Sequence, residues 1–492
     1  MNSNSLKNIK LTDCQKRVLK SLLSFVNDSD DRVFILKGYA GTGKTTLMRF
    51  LIDELSKQGT NYCLLASTGR AAKILANLSG SNGRTSTIHS MIYTFGGLNK
   101  EFDSDEKPAM DMDGQLYLVF NPVRINKNKT DDRTVYIVDE ASMVSDVASH
   151  DITQAKFGDG RVLSELLAYD ERPGSKFIFV GDPCQLPPVE ESQSPALMKN
   201  YFRSHFGLRA QEAQLTEILR QKGSNGIVNA SKQVRTFYEN APETTAYYGR
   251  QRLWGSLPFS QYKNIRLHAD ADDMMDKYVE IISKKGFNSA VSISRFNKEC
   301  LRQSRLIRER LGMHSPQVQR GDLLMVVQNN LPTGLMNGDM VTVEKILPGA
   351  LKRASLTFRK AIVRELFTGE TSTTYFIEDI VHQERPNLNS LQQQALFVDF
   401  IERMMAKGIS QKKNKDLFYD AMRDDPILNA LRCSFGYVIT CHKSQGGEWD
   451  DVFLQLPRNI TLNPVKANYQ WVYTAMTRAR NTLHIVDDFF IV

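Results

Sequence analysis

Gly38-Tyr-Ala-Gly41-Thr42-Gly43-Lys44-Thr45 fits the pattern G-x-x-x-x-G-K-[ST], and its surroundings decide the fold. It follows the apolar run Val33-Phe-Ile-Leu36 and opens a stretch, Leu47 to Lys57, with helical spacing. In a strand–glycine loop–helix unit, backbone N–H groups curl around phosphate oxygens and the helix N-terminus adds its positive dipole end. Gly38, Gly41, Thr42, Gly43 and Thr46 are then expected to shape a nucleotide cradle. Lys44 is expected to pair with the β- and γ-phosphates and Thr45 to ligate Mg²⁺. The cofactors expected are ATP and Mg²⁺.

Such a loop needs a second strand that ends in carboxylates. Val135-Tyr-Ile-Val138 runs into Asp139-Glu140-Ala-Ser142. One carboxylate can hold the metal shell while the next orients or deprotonates water, so Asp139 is assigned to Mg²⁺ and Glu140 to the attacking water.

Working outward, Tyr62–Ala66 and Phe177–Val180 are further apolar runs without period-two alternation. Such runs suit parallel strands covered on both faces. Gly69 to Leu78 reads as a helix between strands, which makes the chain α/β. The pattern recurs near the end in Ala290–Ile293, Gly436–Ile439, Val452–Leu454 and Thr482–Val486. The expected division is a first domain over 1–213, a second over 214–319 and 432–492, and an inserted domain over 320–431. The first half of that insertion, Gly321 to Val381, is strand-like with a turn signal at Asn337-Gly338, and its second half is helical. A smaller insertion over 92–132 carries Asp113-Gly114 ahead of Gln115–Phe120, which predicts a hairpin.

The 492 residues suit two to four domains, and 41% hydrophobic residues can fill several cores. Net charge is +8, weak support for a phosphate-backbone partner. The six cysteines show no zinc-ligand spacing and read as reduced thiols. Neither a signal core nor a membrane-length apolar run is present in the sequence, which predicts a cytoplasmic protein of a bacterial or phage-infected cell.

At this point the sequence resembles superfamily 1 DNA helicases, especially the 5′→3′ branch that includes RecD and Dda. The resemblance covers nearly the whole chain. It implies two RecA-like parallel-sheet domains in tandem, and the strand-rich segment 321–381 inserted in the second resembles the SH3-like module of this branch; the hairpin inserted in the first and the helical part, 388–431, are read from the residues alone. Leu11-Thr-Asp-Cys-Gln15 resembles the adenine-reading segment, with Gln15 as the base contact. Ser67-Thr68-Gly69-Arg70-Ala-Ala and Thr87-Ile-His89-Ser resemble DNA-contacting elements, implicating Thr68, Arg70, Thr87 and His89. Ser67 stands where the family usually has proline. Gly181-Asp-Pro-Cys-Gln185-Leu-Pro-Pro188 resembles the sensor motif, with Gln185 feeling the γ-phosphate and Pro188 on the DNA side.

By the same resemblance, Arg220 in Leu215-Thr-Glu-Ile-Leu-Arg-Gln221 reaches the γ-phosphate from the second domain. Thr440-Cys-His442-Lys443-Ser444-Gln-Gly-Gly447-Glu448 resembles the motif bridging DNA, through its first residues, and nucleotide, through Gly447 and Glu448. Tyr473-Thr-Ala-Met-Thr-Arg478-Ala-Arg480 resembles the last motif, with Arg478 as the arginine finger. If both arginines reach the nucleotide, it sits in a cleft that closes on ATP and opens on hydrolysis.

The resemblance implies 5′→3′ movement on single-stranded DNA and unwinding of tailed duplex, by a monomer that meets replication or recombination proteins. Tyr117 or Phe120 of the hairpin is a candidate wedge on the last base pair; hairpin core is the alternative reading of both. Lys412-Lys-Asn-Lys415 reads as a solvated face, with a DNA or partner contact as the alternative. Two other functions stay open: an RNA-directed motor of the same superfamily, and an ATP-switched loader that does not unwind.

Overall fold

The computed structural model describes residues 10–28, 30–79, 85–100, 116–126, 133–148, 155–217, 226–243, 256–457 and 464–492. The phosphate loop leaves the strand Val33–Gly38, which lies in a six-stranded, wholly parallel sheet. The strand order is Thr85–Thr87, Asn61–Ala66, Thr134–Asp139, Lys176–Gly181, Val33–Gly38, Ala210–Leu215. Successive side chains point to opposite faces, and the two faces carry separate cores. Phe34, Leu36, Val135, Ile137, Ile178 and Val180 face one core, under the helices Asp13–Asp28 and Lys44–Lys57. Val33, Ile35, Tyr136, Val138, Phe177 and Phe179 face the other. Burial on both sides is why these strands read as unbroken apolar runs.

The second sheet is also parallel, in the order Ile265–His268, Ala479–Val486, Trp449–Leu454, Ala290–Ser294, Val438–Thr440. Helices Gly226–Asn240, Ala271–Lys285, Asn297–Arg310 and Lys466–Met476 supply apolar side chains to its core. That core also takes in Cys184 and Leu186 from the first domain, so apolar packing runs across the boundary between the two sheets.

Between Asn297–Arg310 and the strand Val438–Thr440 lies a five-stranded antiparallel sheet, in the order Thr371–Ile377, Leu356–Glu365, Met340–Arg353, Leu323–Val326, Cys433–Phe435. Its tight hairpin turn is Ala354-Ser355, both in the left-handed region at φ 48° and 59°, a conformation two-residue hairpins need and residues other than glycine resist. Asn337-Gly338 instead precedes the strand Met340–Arg353, with Gly338 at φ 94°. Helices Ser390–Ala406 and Lys415–Asp424 follow the sheet. The run Lys412–Lys415 is exposed at the entry to the second of them.

Two boundaries differ from expectation. Ala210–Leu215 pairs with Val33–Gly38, so the first sheet runs through Leu215. Cys433–Phe435 closes the antiparallel sheet against Leu324–Val326, so that sheet extends to Phe435, past the expected boundary at 431.

The smaller insertion contains Tyr93–Leu98 paired antiparallel with Leu118–Pro122, which pairs in parallel with Ala155–Phe157. The expected turn at Asp113-Gly114 lies outside the described residues. Leu98 and Leu116 share a core with Phe397, Phe400 and Phe418 of the two insertion helices. The Leu98 N–H donates to the Tyr419 hydroxyl at 3.4 Å, and a Cβ built on Gly97, at φ 113°, would lie 2.5 Å from that oxygen. Glycine at 97 therefore lets the hairpin of the first domain seat against the helices of the second.

Candidate active site

Because neighbouring strands of the first sheet are parallel, their carboxyl ends emerge along one edge. Gly38, Asp139 and Gly181-Asp182 all leave there. The helix Lys44–Lys57 starts from Gly43 at φ 79°. The Lys44 ammonium donates to the carbonyls of Gly38 (2.6 Å) and Tyr39 (3.2 Å). A Cβ on Gly38 would lie 2.8 Å from the Thr42 Oγ1 and 2.9 Å from the Lys44 Cγ, so the loop closes this tightly only with glycine there. Gln15 is buried, and its Nε2 donates to the Thr42 carbonyl at 3.2 Å. The expected base contact is thus bonded to the backbone of the glycine loop.

Four ionisable side chains of the first domain crowd this edge. Burial pushes the Asp139 carboxyl up to about 7, and the neighbouring Glu140 charge adds to the shift; the Glu140 N–H and Lys44 oppose it. Burial also raises Asp182, against Lys44, the Cys184 N–H, the Tyr473 hydroxyl and Arg478. Glu140 sits at φ 50°, in the left-handed region, which is strained for a residue with a Cβ.

The second domain reaches this cluster through the helix Lys466–Met476 and the residues after it. Arg478 is buried; its Nε donates to the Thr474 carbonyl at 3.0 Å and its Nη1 to the Gly447 carbonyl at 3.4 Å. The Gln185 amide, oriented to suit its neighbours, donates to Glu140 Oε2 at 3.3 Å and accepts from Arg478 Nη2 at 3.0 Å. A continuous line, Glu140–Gln185–Arg478, thus joins the two domains beside Lys44. Arg220, the second expected arginine, lies outside the described residues.

The structure also shows partners that the sequence reading left out. The Tyr473 hydroxyl accepts from the Ala40 N–H (2.9 Å) and donates to Asp182 (2.8 Å). The Leu186 N–H donates to the Thr474 Oγ1 at 2.8 Å, and Gln445 donates to the Leu186 carbonyl at 3.0 Å. Arg235 lies 3.9 Å from the Tyr39 ring centroid. A usable signal existed, since Gln470, Tyr473 and Thr474 share one face at i, i+3, i+4 spacing.

The residues expected at DNA are distributed differently. The Thr68 and Thr87 Oγ1 atoms accept from Ala71 N–H (3.2 Å) and Ser90 N–H (3.1 Å), as caps of the helices Gly69–Ser79 and Ile88–Ile92. Arg70 lies 4.6 Å from the Trp449 ring centroid, between the domains, and its neighbour Lys73 pairs with Asp339 at 2.5 Å. His89 packs edge-on to Phe157, and burial lowers its pKa, disfavouring the charged ring. Pro188 is half-buried and His442 exposed. Ser444 is wholly buried and donates to the Cys441 carbonyl, which takes its hydroxyl away from any open groove. Lys443, its pKa lowered by burial, lines a small surface cleft with Asn297, Thr440 and Pro386. Glu448 is exposed and paired with Arg480 at 3.4 Å. In the hairpin, Phe120 stacks on Phe157 at 4.5 Å, whereas Phe95, edge-on to Phe120 and Tyr419, is 43% exposed, so among the described hairpin residues Phe95 is the aromatic ring most open to solvent. Tyr117 is half-buried.

Residues 10–252 match a family model described as an AAA domain, and residues 435–486 match the UvrD-like helicase C-terminal domain. The chain is 24% identical to the ATP-dependent DNA helicase dda of Enterobacteria phage T4, over 96% of this chain and 98% of that one. It is 23% identical to the RecBCD enzyme subunit RecD of Buchnera aphidicola, over 98% of this chain and 74% of that protein. Its fold is similar to that of a Bacteroides Pif1 helicase crystallised with ADP-AlF3 and ssDNA, at TM-score 0.50 and 16% identity, covering 99% of this chain and 95% of that one.

Proposed function

We propose, from the premise that this chain belongs to the superfamily 1 helicases of the RecD, Dda and Pif1 branch, that it hydrolyses ATP to move along single-stranded DNA and unwind duplex. Movement is 5′→3′. The observation that carries this reading is the line Glu140–Gln185–Arg478, which joins a carboxylate of one parallel-sheet domain to a guanidinium of the other beside Lys44.

The site suits a magnesium nucleotide. Thr45 and Asp139 are hard oxygen donors, and the raised Asp139 carboxyl is a half-buried acid whose charge a divalent ion would stabilise. Bound there, Mg-ATP supplies the phosphoryl group and neutralises charge on its oxygens. Lys44 binds the phosphates, Glu140 accepts a proton from water, Gln185 holds Glu140 and Arg478 in register, and Arg478 stabilises charge on the transferring group. Arg220 is assigned to the same phosphate. Closure of the two domains then alternates the grip on DNA.

Strand displacement on duplexes with a 5′ or a 3′ tail tests the reading. Unwinding of the 5′-tailed substrate alone is expected. No unwinding on either, with ATP turnover intact, would favour a loader. Stronger stimulation of ATP turnover by RNA than by DNA oligonucleotides would favour an RNA motor.

Two smaller effects follow from the geometry. Protons compete with Mg²⁺ for Asp139, and a group with a raised pKa keeps its proton to higher pH. Mg-nucleotide affinity is therefore expected to fall as pH is lowered from 8 to 6, read by calorimetric titration; a flat profile would remove Asp139 from the metal site. Phe95→Ala is expected to slow unwinding several-fold more than translocation, since a stacked base is worth about 1–3 kcal/mol. Phe120→Ala is expected to lower both with the melting temperature, because Phe120 belongs to the Phe157 stack.

A further inference from the structure

We infer that Tyr473 is a positioning residue for hydrolysis: its hydroxyl, set between the Ala40 N–H of the phosphate loop and Asp182, fixes the depth at which the second domain presents Arg478. The inference rests on the reading of the site given above.

Tyr473 is 2% exposed and stands on the helix Lys466–Met476, whose continuation carries Arg478. Its hydroxyl is both acceptor and donor, 2.9 Å from the Ala40 nitrogen and 2.8 Å from Asp182 Oδ2. The proton lies on the tyrosine, because burial and the facing Asp182 raise the phenol pKa well above its usual value. A buried carboxylate and a backbone N–H of the glycine loop are thus satisfied by one atom of the other domain.

The neighbours on that helix face carry the same contact outward. Thr474 accepts from the Leu186 N–H at 2.8 Å, and Gln470 donates to the Gln185 carbonyl at 3.4 Å. Arg478 is in turn fixed to this helix, its Nε donating to the Thr474 carbonyl. The position of the guanidinium is thereby tied to that of the helix. Among the three side chains, Tyr473 alone touches the phosphate loop itself. Removing its hydroxyl leaves the ring packing in place but frees the register between loop and arginine. A displacement of about 1 Å at a phosphoryl-transfer site can cost about 10²-fold in rate.

The test is Tyr473→Phe in the full chain, with steady-state ATP turnover at saturating single-stranded DNA. The kcat is expected to fall roughly 10–100-fold while KM for ATP moves less than about threefold, a split that general loosening of the fold would not give. In an Arg478→Lys background the same substitution is expected to cost only about twofold, since both changes act on one contact. A kcat within about twofold of wild type, or losses that multiply in full, would overturn the inference. If Tyr473→Phe does not fold, Asp182→Asn replaces it: near-isosteric and without a buried charge, it removes the carboxylate that orients the hydroxyl. The same kcat-selective loss is expected, and an undiminished kcat overturns the idea. Wild-type protein without ATP turnover would instead fail the functional reading on which the inference stands.

Discussion

Lys44→Ala lowers ATP turnover by more than roughly 10³-fold and leaves affinity for single-stranded DNA within a few-fold of wild type: that is the expected result with the largest effect. The reason is electrostatic. Lys44 is a cation that the first domain itself holds at the loop, and it draws down both raised acids, Asp139 and Asp182. Its ammonium is held 2.6 Å from the Gly38 carbonyl, inside the curl of the loop that would receive the phosphates. Without it, charge developing on the phosphoryl oxygens meets carboxylates with less compensation. The bonds of the lysine go to its own loop, the Gly38 and Tyr39 carbonyls, so the surfaces proposed to hold the strand are expected to stay as they are. Phosphate release measured with and without oligonucleotide, together with an equilibrium binding titration, checks both halves. Turnover retained within tenfold would remove the phosphate loop from the mechanism.

Arg478→Ala is expected to cost about 10³-fold in turnover, and Arg478→Lys nearly as much, with nucleotide binding changed only a few-fold. The guanidinium is used in several directions at once: toward the Thr474 and Gly447 carbonyls and toward Gln185. A planar fork can do this and an ammonium on a flexible stem cannot. The lysine variant separates charge from geometry: it keeps the charge but not the shape that links Gln185 to the helix Lys466–Met476. Single-turnover hydrolysis against fluorescent-nucleotide binding reads the two terms. If the lysine variant keeps wild-type turnover, the arginine acts as a distant charge, and the line through Gln185 carries no catalytic weight.

Much of this arrangement is legible in the residues. The central strands announce themselves as apolar runs because helices cover both faces, and the glycine loop and the Asp139-Glu140 pair follow from their positions at strand ends. The strand Ala210–Leu215 is hidden because Gln211, Glu212 and Gln214 make it polar, as an edge strand can be. Cys433–Phe435 stands just ahead of the expected strand Gly436–Ile439 yet serves the other sheet, with Gly436 packed between Leu323 and Met340 where the chain passes from one sheet to the next. The Ala354-Ser355 turn lacks the glycine or asparagine that would mark it. Thr68, Thr87 and Ser444 carry the hydroxyls that motif reading assigns to DNA, yet local backbone groups engage those hydroxyls here. The shared face of Gln470, Tyr473 and Thr474 is legible from spacing, but the partners of Tyr473, Ala40 and Asp182, are not, because only the docking of two domains brings them to it.

Cys184 and Leu186 belong to the first chain segment but pack in the core of the second sheet. Any widening of the cleft must therefore wet an oily seam as well as break hydrogen bonds. Nucleotide-driven closure should then carry a negative heat-capacity change, and its equilibrium should shift with temperature as hydrophobic contacts do. Chilling would loosen the motor at the same seam that nucleotide tightens.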